Sequence, residues 1–583
     1  MPEPAQPDLG FLGEPLFDPR ARYELGVDEL MLLTIERAKA LHARGVVGSE
    51  AWCGGSRQDR FPGLVRTLGW VSAFDIALVS TIGNQQLAGN ALLAHGSPAQ
   101  VAAYRDEIDR MDRVYAFAVT EIGRGTNLLS LGTEVHYRHE DRSLRVTTPS
   151  DDAAKYWIGN SLFSATHAML LARLVVDGTD EGHHWFRVPL RPAEGALPFP
   201  GVRIRRADPK GGIVGNQTGM IHFDRYRIPP DALLSAWAHI DDSGRYVCEI
   251  ARRARYPRCL ETFSQERVFP VTGAAGALRR GAAIALRYST HRETFGSTLL
   301  SYQHYRERLM PVVAGALGLH HLTEHLIEEW TSRHAAEPVA RHRQALYGLT
   351  SGAKAHASWA ANTNLVALRE LCGGHGFHSH NEIVTARVDG EINTTFGGDN
   401  TVLCYESVRV AAKNTAADDA PATVPVLAED GLRSGDDGVV LLEALAVRLL
   451  RRWRTSQRGA LCRPHVDASC AALALRRWAG HSRGPADDTL RQLYAVTCLL
   501  NLTEHLVAEE LLDSTGIRGL LDQRRVLSDQ CAGHHTEVLD LLDVPAALLD
   551  VPLAHPDYVH RTVAAARDTT STRRGEEESP WLA

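Results

Sequence analysis

The chain changes its hydrophobic period twice, and no other feature limits its fold as much. From Asp28 to about Met111, apolar residues recur three and four apart (Leu30, Leu33, Ile35, Ala38, then Leu64, Leu68, Val71, Phe74), as on a helix with one buried stripe. Near Val114 the spacing becomes that of strands: VYAFAVT, TEVHYRH, LRVTTPS, HAMLLARLVV, HWFRVPL, GVRIRRA and MIHFDRYRI follow closely, with turn residues between them. Helical spacing returns after Pro230 and dominates to about Lys413, its longest stretch running from near Thr262 to His291. Residues 414–438, rich in Ala, Asp, Gly and Pro, read as a linker, and helical text resumes in LLEALAVRLLRRW. This order is not the alternating βαβ of a doubly wound sheet. It predicts an α+β multidomain chain: an N-terminal arm (1–20, extended) and α-helical domain over 1–113, and a β-barrel or sandwich domain over 114–235. An α-helical bundle domain over 236–413, the linker and an extra C-terminal α-helical domain over 439–583 complete it.

Hydrophobic residues at 44% and charged residues at 23% are ordinary for a globular protein. A net charge of -7 gives no bias toward polyanions. Nine cysteines without a C-x-x-C pattern suit a reducing compartment better than a disulfide scaffold. The start, MPEPAQPDLGFLGEP, lacks the basic and apolar regions of a signal peptide, and no run of 18 apolar residues suggests a membrane span. Ala/Arg-rich usage looks bacterial, and SPWLA is not a peroxisomal S-K-L address, so the expected location is cytoplasmic.

There is no Walker A sequence, G-x-S-x-G or H-E-x-x-H. His375, His378 and His380 read as structural or surface histidines, so no metal site is expected. Three glycine-bearing segments carry more information: Thr120-Glu-Ile-Gly-Arg-Gly-Thr126 at a strand end, Cys372-Gly-Gly-His-Gly-Phe377, and Phe396-Gly-Gly-Asp-Asn-Thr401. Glycines let backbone approach a ligand closely. They suit either a wall against a flat cofactor or the ends of helices.

In this order YAFAVTEIGRGT, KYWIGN (155–160), HFDRYRIPPDALL (222–234), RYSTHRETFG (287–296), CGGHGF and FGGDNTV resemble the acyl-CoA oxidase and acyl-CoA dehydrogenase superfamily, the oxidase branch most closely. The resemblance implies FAD, an acyl-CoA thioester substrate and α,β-dehydrogenation to the trans-2-enoyl thioester. Dioxygen would reoxidise the flavin to give H2O2. By match, Thr120, Gly125 and Thr126 lie along the flavin and its pyrophosphate, and Gly373 and Gly374 also contact the cofactor. Trp157 covers the ring, and Gly159 faces flavin N5. Dehydrogenases usually carry a hydroxyl residue there, so its absence is expected to leave room for dioxygen. Arg292, Thr294 and Phe295 match a segment that binds FAD from a neighbouring subunit. A helix from Glu266 to Arg292 would separate its ends by roughly 39 Å, which implies a homodimer with shared sites.

The sequence departs from the family at the base. Gly397 stands where the family's usual catalytic Glu is found, so only its backbone N–H remains as an oxyanion donor. Glu266 falls where isovaleryl-CoA and long-chain acyl-CoA dehydrogenases place an alternative Glu, and it becomes the candidate base. Arg267 would orient it or contact the CoA portion, Phe396 would contact substrate, and Asp399 is a competing base or a flavin- or backbone-binding residue. Three alternatives remain: a dehydrogenase using an electron-transfer flavoprotein, a non-catalytic acyl-thioester binding protein, and an enzyme acting on a carrier-bound thioester.

Overall fold

The computed structural model describes residues 7–48, 57–207, 209–263, 266–335, 340–414 and 431–566. Ser264, Gln265 and most of the expected linker lie outside them. The N-terminal unit contains the helices Val27–Ala43, Arg57–Phe74, Ile76–His95 and Pro98–Asp109. Their starts are written in the sequence: Asp75 accepts the N–H groups of Ala77 and Leu78, and Ser97 forms a capping box with Gln100. The arm is not extended over its described part. Gly10–Gly13 and Pro15–Phe17 form two tight turns, and Phe17 packs edge-on to Phe11 at 5.1 Å and to Phe74 at 6.3 Å. Burial of those rings folds it back onto the helices.

Nine strands follow: β1 (Tyr115–Ala118), β2 (Glu134–Arg138), β3 (Ser143–Thr147), β4 (Lys155–Gly159), β5 (His167–Val176), β6 (Thr179–Pro189), β7 (Val202–Arg206), β8 (Thr218–Phe223) and β9 (Tyr226–Ile228). One sheet runs β1-β5-β2-β3-β9 with β6 also on β5, and a second runs β4-β8-β7. Strand β5 pairs in parallel with β1 and β2, and its near-continuous apolar text is buried on both faces.

The bundle expected from residue 236 begins instead with a hairpin, β10 (Ala238–Ile240) and β11 (Tyr246–Cys248). The Asp241 carboxylate holds its turn by accepting the N–H groups of Ser243 and Arg245, and Gly244 supplies φ +84°. Helices then run over Arg252–Cys259, Val268–His291, Gln303–Ala335, Ala340–Leu371 and Asn400–Asn414. The long helix starts at Val268 rather than near Thr262. Pro270 is its third residue, where an N–H has no helical partner to lose, so it puts no bend in the helix. A methyl group on Gly276 would lie 2.5 Å from the Gly69 carbonyl, so this helix crosses Arg57–Phe74 at backbone distance.

Leu442, Leu475, Trp478 and Leu493 of the C-terminal helices share one apolar core with Leu278, Leu317 and Leu365 of the bundle. The N-terminal helices and the β domain share another. A buried ion cluster joins the two bodies: Glu382 pairs with Arg22 (3.1 Å) and Arg280 (3.3 Å), and Asp75 with Arg22 and Arg37 (both 3.6 Å). Among the described residues no helix is long and apolar enough to cross a membrane.

Candidate active site

Glu266 lies in the turn just before Val268–His291, not within the helix. The Phe269 N–H donates to its carbonyl at 3.1 Å. Upstream, Phe263 packs edge-on to Phe117 of β1 (5.6 Å), and His95 and Thr262 are hydrogen-bonded at 3.1 Å. Facing Glu266 is the turn entering Asn400–Asn414, where Gly397 and Gly398 have φ +70° and +107°. Left-handed backbone of this kind favours glycine. A Cβ on Gly397 would stand 3.8 Å from Glu266 Oε1. The carboxyl group thus lies in van der Waals contact with the place where a side chain at 397 would begin.

Two cations flank this pair. Arg267 Nε donates to the Gly397 carbonyl (3.3 Å) and Nη1 to Ser351 Oγ (3.2 Å), while its guanidinium lies over Tyr347 at 4.4 Å. Proposed from the sequence to orient the base or touch substrate, Arg267 is buried and turned onto the protein's own backbone. Lys354 Nζ donates to the Gly398 carbonyl (2.6 Å) and Asn400 Oδ1 (3.0 Å), and Asn400 is held in turn by Ser358 Oγ at 2.9 Å. Lack of hydration pushes the Glu266 carboxyl above the usual range, opposed by the charges of Arg267 and Lys354. Burial pushes Lys354 down to about 7, with Glu266 foremost among the anions holding it up.

Sequence reasoning missed Lys354. The available signal was a single lysine in the small-residue run LTSGAKAHASWA, on a helix whose neighbours are buried. Asp399 Oδ1 accepts the N–H groups of Thr401 (2.9 Å) and Val402 (3.3 Å), so this carboxylate caps the helix. Phe396 is half-buried beside it, its N–H donating to the Ile392 carbonyl.

The strand-end residues meet at a second wall. Tyr156 N–H donates to the Thr120 carbonyl (3.0 Å), and Thr120 Oγ1 donates to the Tyr156 carbonyl (2.7 Å). Next to them Glu121 and Lys155 form a buried pair at 3.2 Å, and Glu121 also accepts the Gly132 and Thr133 N–H groups. This locked frame carries an exposed surface: Gly125 and Thr126 face outward, and a Cβ on Gly125 would meet open space. Trp157, at φ +62° where the β4–β8 register shifts, is 47% exposed, as are Ile122 (52%) and Leu129 (60%). The left-handed backbone at the register shift turns the indole outward, where little of the protein covers it.

Gly159 differs from expectation. The space at its α-carbon is not open, because a Cβ there would lie 2.2 Å from Asn84 Nδ2.

The remaining candidates form a third group at the far end of Val268–His291, whose 24 residues span roughly 36 Å. Strands β12 (Glu293–Thr294) and β13 (Ser297–Thr298) form a hairpin whose turn, Phe295-Gly296, has φ +50° and +82°. Phe295 is 101% exposed. Arg292 Nη1 donates to Tyr558 Oη (3.0 Å), and Tyr558 packs edge-on to His375 (5.8 Å), which brings the Gly373–Phe377 turn to the same corner. Cβ atoms on Gly373 and Gly374 would also meet open space. Among the described residues no group of three or more His, Cys, Asp or Glu is arranged to hold a metal ion.

Comparison with known proteins places these three groups of residues in two recognised domains. Residues 116–226 match the acyl-CoA dehydrogenase middle domain, and residues 260–412 match the acyl-CoA oxidase C-alpha1 domain. Human peroxisomal acyl-coenzyme A oxidase 3 is 32% identical over 364 residues, covering 60% of this chain and 51% of the relative. The chain spans about half the length of the curated relatives it matches. Acyl-CoA oxidase 1 from Yarrowia lipolytica superimposes with a TM-score of 0.83 at 19% identity, over 98% of this chain and 93% of the other. Acyl-CoA oxidase-1 of Caenorhabditis elegans, in complex with FAD and ATP, gives 0.78 at 20%, over 96% and 89%. These likenesses confirm the architecture of helical, β and helical domains read from the sequence. The chain's two matched segments, residues 116–226 and 260–412, belong to domain families of the acyl-CoA dehydrogenases and acyl-CoA oxidases.

Proposed function

We propose that this protein is an FAD-dependent acyl-CoA oxidase whose base is Glu266. The observation that carries the reading is the 3.8 Å between Glu266 Oε1 and the Cβ position of Gly397. It supports a base moved to a new position rather than lost. The residues suit the cofactor: Thr120, Gly125, Thr126 and Trp157 form an exposed, glycine-relieved wall, and Arg292, Thr294, Phe295, Gly373 and Gly374 form another. When bound, FAD supplies the hydride acceptor and passes the electron pair to dioxygen, which becomes H2O2.

The chain's own part is proton chemistry and positioning. Glu266, as carboxylate, takes the proton from the carbon next to the thioester, a step typically worth ~10²–10⁴-fold. The Gly397 N–H polarises the thioester carbonyl, and such a donor is worth ~10²–10³. Arg267 and Lys354 hold the Gly397 and Gly398 carbonyls, so the donor is fixed before substrate arrives. Because Glu266 and the Arg292–Phe295 hairpin flank opposite ends of the helix Val268–His291, we assign Phe295 and Arg292 to the site of a second subunit in a homodimer. The curated relatives are peroxisomal by name, and the expected cytoplasmic location finds no support in them.

Anaerobic mixing with an acyl-CoA should bleach the flavin, and air should restore the colour with one H2O2 per thioester oxidised. A flavin that stays reduced in air would point to an electron-transfer flavoprotein as acceptor. Glu266→Gln should bind acyl-CoA without bleaching; unaltered bleaching would remove Glu266 from its role. Parallel assays with CoA and carrier-bound thioesters identify the natural handle.

A further inference from the structure

Gly159 ends β4 two residues after Trp157, and the place of its missing side chain is taken by another residue. Asn84, on Ile76–His95, puts its carboxamide there: Nδ2, Cγ and Oδ1 would lie 2.2, 2.8 and 3.0 Å from a Cβ on Gly159. The amide is held from behind, Nδ2 donating to the Ser80 carbonyl at 2.7 Å. Its helix is tied to the strand one residue away. Buried Asn160 donates to the Thr81 carbonyl (3.0 Å) and the Tyr115 carbonyl (3.1 Å), and Asn216 Nδ2 donates to Thr81 Oγ1 (3.1 Å). Glycine at 159 is therefore not a vacancy but the condition for Asn84 to come close.

We propose that Asn84 is a cofactor-facing residue, presenting a carboxamide from the helix where a strand side chain would otherwise stand, and that it governs how fast the reduced protein reacts with dioxygen. The inference rests on the proposed flavin site. An amide can accept from one ring atom and donate to another, and it keeps a polar group at the point where a hydride equivalent and a proton leave together to convert dioxygen into H2O2. An apolar side chain of equal size there would offer neither.

Two measurements test it. The first needs no cofactor: Gly159→Ser should lower the melting temperature of the apoprotein by several degrees, and Asn84→Ala in the same chain should recover most of that loss. The second uses the FAD-loaded protein reduced with dithionite, which bypasses Glu266 and the thioester, then mixed with oxygenated buffer. Asn84→Leu, with Asn84→Ser as a smaller companion, should reoxidise at least tenfold more slowly than wild type while retaining FAD. Asn84 variants that reoxidise within twofold of wild type overturn the assignment. So does a Gly159→Ser protein as stable as wild type. A wild type that takes up no FAD defeats the functional reading itself, a result seen before any variant is made.

Discussion

The two ends of the helix Val268–His291 are built on opposite plans. At the base end, Glu266, Arg267, Lys354, Gly397, Gly398 and Asn400 are bound to or charged against one another, and Arg267 and Lys354 are buried. At the hairpin end, Phe295 is fully exposed and Phe377 is 67% exposed, next to glycines facing open space. The first is a machine finished within one chain. The second is an open surface, in which the positive φ of Phe295 and Gly296 belongs to their two-residue hairpin turn. Under the proposed function, proton removal would be carried out within one chain, and cofactor capture would be shared between two.

The largest effect should come from Glu266→Gln, which removes the base without altering size. We expect kcat to fall ~10²–10⁴-fold, with acyl-CoA affinity within a few-fold of wild type by equilibrium titration. Lys354→Met comes next. The Lys354 charge lowers the carboxyl pKa of Glu266, so its loss should move the acidic limb of kcat/KM to higher pH, with about a tenfold loss of kcat. In wild type that limb should already lie above the ordinary glutamate range, since burial raises the group and activity needs its ionised form. A limb that stays fixed in Lys354→Met would break the link between charge and base.

Phe295→Ala tests the other end. It should weaken FAD binding several-fold, more at low protein concentration, and leave the melting temperature of the apoprotein unchanged; a lowered apoprotein melting temperature would show packing within the chain. The smallest effect is reserved for Asp399→Asn, which keeps a capping side chain. Turnover should stay within threefold, whereas a collapse would restore Asp399 as the base.

Much of the fold was legible because burial dictates period: β5 is apolar save for His167 and Arg173 because both faces are covered, and the caps at Asp75 and Ser97 announce their helices. Less legible was whatever depended on distant partners. The arm at residues 7–20 contains too few apolar residues to show a period, yet Phe17 is packed by Phe74. The hairpin Ala238–Cys248 was hidden by its short strands and revealed itself only in the turn chemistry of Asp241 and Gly244. At the site, the pairing of Glu266 with Gly397 could be read from matched motifs. Lys354 could not, because its meaning comes from a carbonyl 44 residues away. Gly159 was misread for a similar reason. A glycine in a string of letters suggests emptiness, and only three dimensions reveal the asparagine that fills it.

The closeness of Glu266 to Gly397 also constrains ancestry. A glutamate restored at 397 would force a non-glycine residue to φ +70° and crowd two acids into one small space. Losing the acid at 266 first would leave the lineage idle. With Glu266 as the proposed base, each single replacement should lower turnover, so the two positions should change together. Descendants that carry an acid at one of these positions should carry a small residue at the other.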